Sequence, residues 1–275
     1  MHNRALLLPI VFLSFGFSAW SQPYTISTVA GTDRLLDGHN ASGVPLREPG
    51  AIALDASGNL YIVDSSDNRI RKVDLSGNIS TYAGTGLPGY NGDRLKATAA
   101  QLNNPSSIAF DNSGNLYVAD LGNSRVRIIS PSGIIDTVAG NGSPGILGDN
   151  GPALSAQLDP LTIALDNQGN LFIATSDFRI RKVDVNGIIT TIAGDGTNAY
   201  SGDNGPAKDA AISIVAAMVC DAKGNLYIAD TQNGYVRMIN TAGVIQPVAG
   251  VGDYQEGFII DYVPAQAAVM SPDGA

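Results

Sequence analysis

The fold is indicated by a thirteen-residue stretch that recurs four times along the chain. It reads IALDASGNLYIVD at residues 52–64, IAFDNSGNLYVAD at 108–120, IALDNQGNLFIAT at 163–175 and MVCDAKGNLYIAD at 218–230. The aspartates at its fourth position, Asp55, Asp111, Asp166 and Asp221, are separated by 56, 55 and 55 residues. A period of this size is typical of proteins in which similar units stack on one another.

Each repeat resolves into four short strands. In the first repeat the candidate strands cover residues 52–54, 60–63, 69–73 and 79–83, and turn-forming Gly, Asn, Asp and Ser residues separate them. A sheet this small, with apolar side chains on both faces, must pack against neighbouring sheets to be stable. The sequence therefore predicts an all-β protein, a β-propeller of four-stranded antiparallel blades at residues 50–84, 106–140, 161–194 and 216–250.

Two terminal segments predict a partial closing blade. Residues 24–31 match the outer strand of a repeat, and residues 265–275 resemble the beginning of another. Two interpretations remain open. Either the chain is a truncated fragment of a propeller with about six blades, which we favour, or it forms an open arc of four blades with exposed edges.

The first 21 residues predict a secretory signal peptide. Arg4 supplies the positive charge, residues 5–17 are apolar, and Ala19 and Ser21 provide small side chains near the expected cleavage site. A retained membrane anchor is the alternative, but the apolar run is short for a bilayer. We therefore expect a mature chain at 22–275, secreted to the periplasm or the exterior, without an integral membrane segment.

The repeat resembles a known family. The order Asp-x-x-Gly-Asn-Leu-Tyr-Ile-Ala-Asp, followed by Asn-x-Arg-Ile-Arg-Lys-Val, is similar to the NHL repeat over about residues 25–250. The fourth repeat departs from it, with Tyr235 in place of the first arginine. Repeats with the additional Gly-Asp-x-Gly-Pro-Ala insertion resemble those of large secreted bacterial NHL proteins. The resemblance implies a six-bladed, TolB-like propeller that acts mainly through protein interaction.

Long loops predict the functional face of the propeller. The connections between blades, at residues 85–105, 141–160 and 195–214, should emerge on the same face as the links between second and third strands. The candidate binding residues on this face are Asp64, Asn68, Asp93, Asp120, Asn123, Asp149, Asp177, Asp203, Asp230 and Asn233. Their possible partners are a protein, a peptide or a glycan.

Each group of candidates also has a structural interpretation. Asp93, Asp149 and Asp203 each follow a glycine in a long loop, where an aspartate caps a turn or, alternatively, helps to bind calcium. An aspartate that ends a second strand, such as Asp64, is placed to pair with the arginine that begins the third, such as Arg69. A ring of such carboxylates forming an acidic mouth is the alternative.

The composition favours a binding role over catalysis. The net charge of −9 disfavours nucleic acid, and one cysteine, Cys220, excludes an intramolecular disulfide. We assign Cys220 to the core and not to a nucleophilic site. Only His39 remains after the signal peptide, so no histidine-based zinc site or serine triad matches, and we assign no cofactor. The alternative is a metal-dependent lactonase, or a lyase-like propeller enzyme, whose missing residues lie beyond the C-terminus.

Overall fold

The computed structural model describes residues 37–252. This range contains nineteen short β-strands and seven single-turn 3-10 helices. The predicted signal peptide (residues 1–21) and the predicted closing-blade segments (24–31 and 265–275) lie outside the described residues.

The strands fall into four groups that follow the sequence repeats. Blade one contains β1 (His39–Asn40), β2 (Pro49–Leu54), β3 (Leu60–Asp64), β4 (Arg69–Val73) and β5 (Asn78–Ala83). Blade two contains β6 (Leu95–Lys96), β7 (Pro105–Phe110), β8 (Leu116–Asp120), β9 (Arg125–Ile129) and β10 (Ile134–Ala139). Blade three contains β11 (Gly151–Pro152), β12 (Pro160–Leu165), β13 (Leu171–Thr175), β14 (Arg179–Val183) and β15 (Ile188–Ala193). Blade four contains β16 (Val215–Cys220), β17 (Leu226–Asp230), β18 (Tyr235–Ile239) and β19 (Ile245–Ala249). The 3-10 helices are Ala41–Gly43, Ser65–Asp67, Ala97–Ala99, Leu121–Asn123, Ala153–Ser155, Ala207–Asp209 and Thr231–Asn233.

Each group is one antiparallel sheet, and the sheets stack around a common axis. The strand order in blade one is β1-β5-β4-β3-β2, and blades two and three repeat it. The inner strands contact one another in the order β2, β7, β12 and β16. The predicted fold class, an all-β propeller of antiparallel blades, is therefore confirmed. Six blades are not seen, because residues 37–252 form four.

The turn between first and second strands explains the recurring Asp-x-x-Gly-Asn motif. In blade one the Asp55 carboxylate accepts hydrogen bonds from the backbone N–H groups of Ser57 and Asn59, both at 2.9 Å. The Asn59 side-chain amide donates a third, at 2.7 Å. Gly58 has a φ of +88°, a conformation that side chains with a Cβ rarely adopt. The motif is thus a self-contained turn, which positions the two strands before any contact with another blade is made.

Apolar residues from the long loops fill the gaps between blades. The second half of each loop carries Ala-x-x-Ala followed by an apolar residue two positions later, namely Leu102, Leu158 and Ile212. All three are fully buried. Burying a side chain of this size stabilises a fold by about 1.5–3 kcal/mol. The loops are therefore part of the core that joins one blade to the next.

Each long loop also adds a short strand to the outer edge of the blade that follows it. β6 pairs with β10, and β11 pairs with β15. In blade four a single bridge between Pro206 and Val244 occupies the same place. The sequence did not predict these strands, because two residues such as Gly151–Pro152 carry no strand signal of their own.

The inner strands of the first and fourth blades expose apolar side chains. The exposed fractions are 50% for Ile52 and 63% for Leu54 in blade one, and 62% for Val219 in blade four. The equivalents of Ile52 in the two middle blades, Ile108 and Ile163, are buried. Packing between blades therefore covers the middle blades more fully than the first and the fourth within residues 37–252.

Candidate binding face and its anchors

The long loops and the links between second and third strands lie together on one face. The side-chain amide of Asn123 donates a hydrogen bond of 2.6 Å to the carbonyl oxygen of Gly89, in the loop before blade two. Asn233 makes the equivalent bond of 2.9 Å to Ala199. These contacts unite the two kinds of loop into one surface, the long-loop face. Asn123 and Asn233 both hold its loops in place.

A buried arginine lies beneath this face in every blade. It is the second arginine of the motif Arg-x-Arg, or its equivalent in blade four, and it belongs to the third strand. The four residues are Arg71, Arg127, Arg181 and Arg237, with exposed fractions of 0 to 1%. A buried guanidinium must be paired, because the removal of an unpaired charge from water is very unfavourable.

Aspartates of the preceding loops supply the partners of these arginines. The pairs are Arg71–Asp37 at 2.6 Å, Arg127–Asp93 at 3.0 Å, Arg181–Asp149 at 2.5 Å and Arg237–Asp203 at 2.6 Å. Each pair fastens the loop to the outer half of the blade that follows it. The interpretation of the loop aspartates as simple turn caps is therefore wrong, since their main partner lies more than thirty residues further along the chain.

Asp149 shows how firmly a loop carboxylate is held. Burial alone would raise its pKa, but hydrogen bonds from Thr191 and Arg181 outweigh burial and lower the pKa below its ordinary value. The Arg181 guanidinium donates two bonds to one carboxylate oxygen, while the Thr191 backbone N–H donates to the other at 3.0 Å. Both oxygens of Asp149 are thus engaged within the protein.

The aspartates that end the second strands point inwards. Asp64, Asp120 and Asp230 are buried, and each accepts the backbone N–H of the residue where the preceding loop reaches its blade. Asp120 lies 3.6 Å from Arg127, and Asp230 lies 3.2 Å from Arg237. The predicted pairing of these aspartates with the first arginine is therefore wrong, because they face the second. Blade three has Thr175 at this position.

The first arginine has a different role. Arg69 pairs with Asp67 and Arg179 pairs with Asp177, each at 2.5 Å. Each arginine also donates to a carbonyl oxygen at the beginning of the next long loop, that of Thr85 in the first case, at 2.6 Å. Asp177 therefore supports an arginine that joins its blade to the following loop.

Asn68 joins the first two blades. Its side-chain oxygen accepts the backbone N–H of Asn104 at 2.8 Å. Its own backbone adopts φ +52°, in the left-handed region that asparagine tolerates better than most residues. With Asn68, all ten predicted site residues make hydrogen bonds or ion pairs within the chain, so they organise the long-loop face from below.

In blade four an aromatic pair replaces the first arginine. Tyr235 stacks on Tyr200 of the preceding loop, with ring centroids 4.2 Å apart and an angle of 4° between the rings. In blade two the corresponding loop residue, Tyr90, lies 3.9 Å below the guanidinium of Arg125. Stacking and cation–π contact are both favourable for these groups, so either pair can fasten a loop.

Sequence reasoning missed several of these contributors. Asp37 was not predicted as a site residue because it precedes a glycine, whereas the other loop aspartates follow one. Tyr90 and Tyr200 carried no motif. The second arginine, present in all four repeats, was the signal that would have indicated a buried partner for the loop aspartates.

Burial changes the acidity of Asp120 and leads to a prediction. Desolvation raises its pKa to about 6, although Asn123 and Asn103 donate hydrogen bonds that oppose the shift. Between about pH 6 and pH 4 the folded chain therefore binds more protons than the unfolded chain, whose Asp120 titrates at its ordinary pKa. Lowering the pH through this window should stabilise the wild type by as much as ~3 kcal/mol relative to Asp120→Thr. Thermal unfolding at a series of pH values measures the difference between the two proteins.

Blade three supplies the reason for choosing threonine, because Thr175 occupies the equivalent position there. A stability difference that stays constant from pH 7 to pH 4.5 would show that Asp120 has no raised pKa. Circular dichroism at pH 7 verifies that the variant is folded.

The long-loop face holds no obvious metal centre. Within residues 37–252, no group of three or more His, Cys, Asp or Glu side chains is arranged to hold a metal ion. Calcium binding to the loop aspartates stays a prediction. The same range contains no helix that is both long and apolar enough to cross a bilayer.

The geometry defines the class of protein: a repeat β-propeller in which every blade fastens the loop that precedes it through a buried arginine. The comparisons with known proteins identify the repeat. Residues 88–145 match the family model described as the teneurin NHL domain. The chain is an NHL-repeat β-propeller, and this fold supports a role as a binding scaffold.

Curated relatives cover most of this chain. Over 232 residues it is 32% identical to Teneurin-4 of Mus musculus. This alignment covers 74% of this chain and 8% of Teneurin-4. Over 234 residues it is 33% identical to Teneurin-1 of Homo sapiens, with the same two shares. The chain thus spans about 8% of the length of these relatives.

A solved structure supports the fold. An auxiliary nutrient binding protein from Bacteroides ovatus superposes with a TM-score of 0.54 at 13% identity, covering 78% of this chain and 50% of that one. At this identity the likeness concerns the fold alone.

Proposed function

We propose that this chain is a binding module that holds a protein partner on its long-loop face. The observation that carries the proposal is an exposed apolar side chain in a firmly anchored loop. Leu87 has an exposed fraction of 63%, and it lies between Thr85, which accepts a bond from Arg69, and Gly89, which accepts one from Asn123. A loop held at both sides loses little conformational freedom when it binds, so more of the contact energy appears as affinity.

The next loop has the same character. Ile146 and Leu147 have exposed fractions of 47% and 65%, and they precede Asp149, the anchor to Arg181. These apolar side chains offer contact area to a protein partner on loops that the scaffold holds in position.

Charge supports a protein partner over nucleic acid. The net charge of −9 repels a polyanion, and the arginines of the repeat are buried, engaged in ion pairs or, for Arg125, bonded to carbonyl oxygens. We propose further that the protein acts outside the cytoplasm, on the basis of the signal-peptide pattern in residues 1–21. A peptide or a glycan on the same face would be an alternative outcome of the experiment below.

Site-specific photo-crosslinking tests the proposal. A photoreactive amino acid is placed at Leu87 in one protein and at Leu75 in the control, and both are expressed in the native host. Leu75 is also a leucine and is 75% exposed, but it lies in the turn between third and fourth strands, at the opposite end of the blade. We expect a discrete protein adduct from position 87 and none from position 75. Equal labelling from both positions, or none from either, would contradict the proposal.

The captured partner then permits a quantitative prediction. Leu87→Ser should weaken its binding by about tenfold, because a large apolar contact is lost. Leu75→Ser should leave the affinity unchanged. Titration calorimetry with the purified pair measures both, and an unaffected Leu87→Ser variant would place the interface elsewhere.

A further inference from the structure

A cavity of about 280 Å³ opens between blades three and four, at the end of the blades opposite the long-loop face. Its apolar walls include Phe172 and Ile192 of blade three and Leu226 and Ile239 of blade four. Lys182 also lines it. This volume is close to the lower end of the range found for small-molecule sites.

The same place between blades one and two is filled. There Tyr61 contacts two further rings edge to face, Tyr82 of its own blade and Phe110 of the next, each with centroids 4.8 Å apart. Lys72 lies over the Tyr61 ring at 5.3 Å. Three aromatic rings and a lysine stem therefore occupy the space between the first two blades.

Differences between the repeats leave the equivalent space between blades three and four unfilled. The repeat alignment places Phe172 at the position of Tyr61, Ile192 at that of Tyr82 and Cys220 at that of Phe110. Two of the three rings are thus replaced by smaller side chains, and the third loses its hydroxyl group. The strands keep the same pairing, so the removed volume remains as a cavity. Phe172 and Ile192 line it directly, and Cys220 packs against the core cluster that contains Phe172.

Lys182 is the positively charged side chain of the cavity. Its ammonium group lies 5.8 Å from the centre of the Phe172 ring, and no carboxylate in residues 37–252 lies within ion-pair distance of it. Asp166, also in the lining, is already engaged. It accepts the backbone N–H groups of Gln168 and Asn170 and the side-chain amide of Asn170, at 2.6 to 2.9 Å. Gln168, Asn240 and Thr241 also line the cavity, and among the described lining residues Lys182 is the cation, with three donors beside an apolar wall.

We propose that this cavity binds a small carboxylate whose apolar body is about the size of one ring. The ring takes the space that Phe110 and Tyr82 fill between blades one and two, and the carboxylate accepts hydrogen bonds from Lys182. The site is separate from the long-loop face, so it does not depend on the function proposed above.

Three probes of the same shape test the charge preference. Phenylacetate, phenylacetamide and phenethylamine are titrated into the purified full chain and followed by calorimetry or ligand-observed NMR. We expect phenylacetate to bind about tenfold more tightly than phenylacetamide, because a charge-assisted bond to lysine is lost in the amide. No binding of phenylacetate, equal affinity for the amide, or a preference for the amine would overturn the proposal.

Lys182→Met tests the lysine without emptying the site. Methionine is compatible with this position, because blade four has Met238 there. The variant should bind phenylacetate no better than phenylacetamide. Lys72→Met, at the filled interface between blades one and two, is the matched control and should retain the wild-type affinity. Unchanged binding by Lys182→Met would overturn the role of Lys182.

Cys220→Phe tests the location of the site. Phenylalanine is the residue that blade two carries at this position, as Phe110. The variant should abolish phenylacetate binding and raise the melting temperature by a few degrees, because the ring fills the cavity. Full binding by a folded Cys220→Phe variant would place the ligand elsewhere. If this variant does not fold, Lys182→Met and its control still decide the proposal.

Discussion

Replacement of Arg237 by methionine should lower the free energy of unfolding by about 3–5 kcal/mol, the usual loss when one partner of a buried ion pair is removed. Arg237 is fully buried and pairs with Asp203 of the preceding loop and with the buried Asp230. It also donates to the carbonyl oxygens of Ala211 and Ser201, at 2.8 Å each. The variant would leave the Asp230 carboxylate buried without its cation and release the loop. Denaturant unfolding measures the loss.

Arg71 provides a matched control for this experiment. It is equally buried, but within residues 37–252 its one ion pair is with Asp37, which is half exposed, and the buried Asp64 lies beyond ion-pair distance. Within the same range its Nε and Nη1 atoms have no hydrogen-bond partner. Arg71→Met should therefore cost less than half as much as Arg237→Met. A double variant, Arg237→Met with Asp230→Asn, should recover part of the loss because the stranded charge is removed. Equal losses for the two single variants would contradict this account.

Gly194→Ala should destabilise the protein by about 2–4 kcal/mol. Gly194 follows β15 and has a φ of +85°, in the left-handed region. A Cβ there would overlap the carbonyl oxygen of Phe178 and lie 2.9 Å from the Cα of Arg179. The backbone crosses itself at this point, so neither segment can yield without disturbing the strand pairing. Thermal and denaturant unfolding test the prediction.

Gly187 separates backbone strain from the steric clash. Its φ is +76°, but a Cβ at this position would meet nothing within 4 Å. Gly187→Ala should therefore cost only about 1 kcal/mol, the penalty of the left-handed conformation alone. If both variants lost the same stability, the crossing at Gly194 would not be a tight contact.

Most of the fold was predictable from the sequence because the information is local. The turn at Asp55 is formed by residues within four positions of each other, and the same turn recurs in every repeat. The spacing of these turns places four strands in each unit, and strands with apolar side chains on both faces can only stack. The number of blades was less predictable, since a repeat does not encode how many copies surround an axis.

The candidate face was predictable, but the roles of its residues were not. The prediction brought the long loops and the links between second and third strands together, as the bond between Asn123 and Gly89 shows. It placed the aspartates towards a ligand, whereas the structure buries Asp120 and Asp230 and joins Asp149 to Arg181. Side-chain direction at a strand end depends on what the neighbouring loop presents, and that loop is distant in sequence.

The amino-acid order by itself determined the strands, the turns and the stacking of similar blades, because each of these depends on residues that are close along the chain or on a pattern that repeats. Only the tertiary structure decided which charges meet, as with Asp203 and Arg237, 34 residues apart. It alone decided, too, that the space filled by Tyr82 and Phe110 between blades one and two is a cavity between blades three and four. The reason is physical. Both outcomes depend on how elements distant in sequence are placed against each other, because that placement decides which charged groups pair and whether the side chains fill the space between two blades.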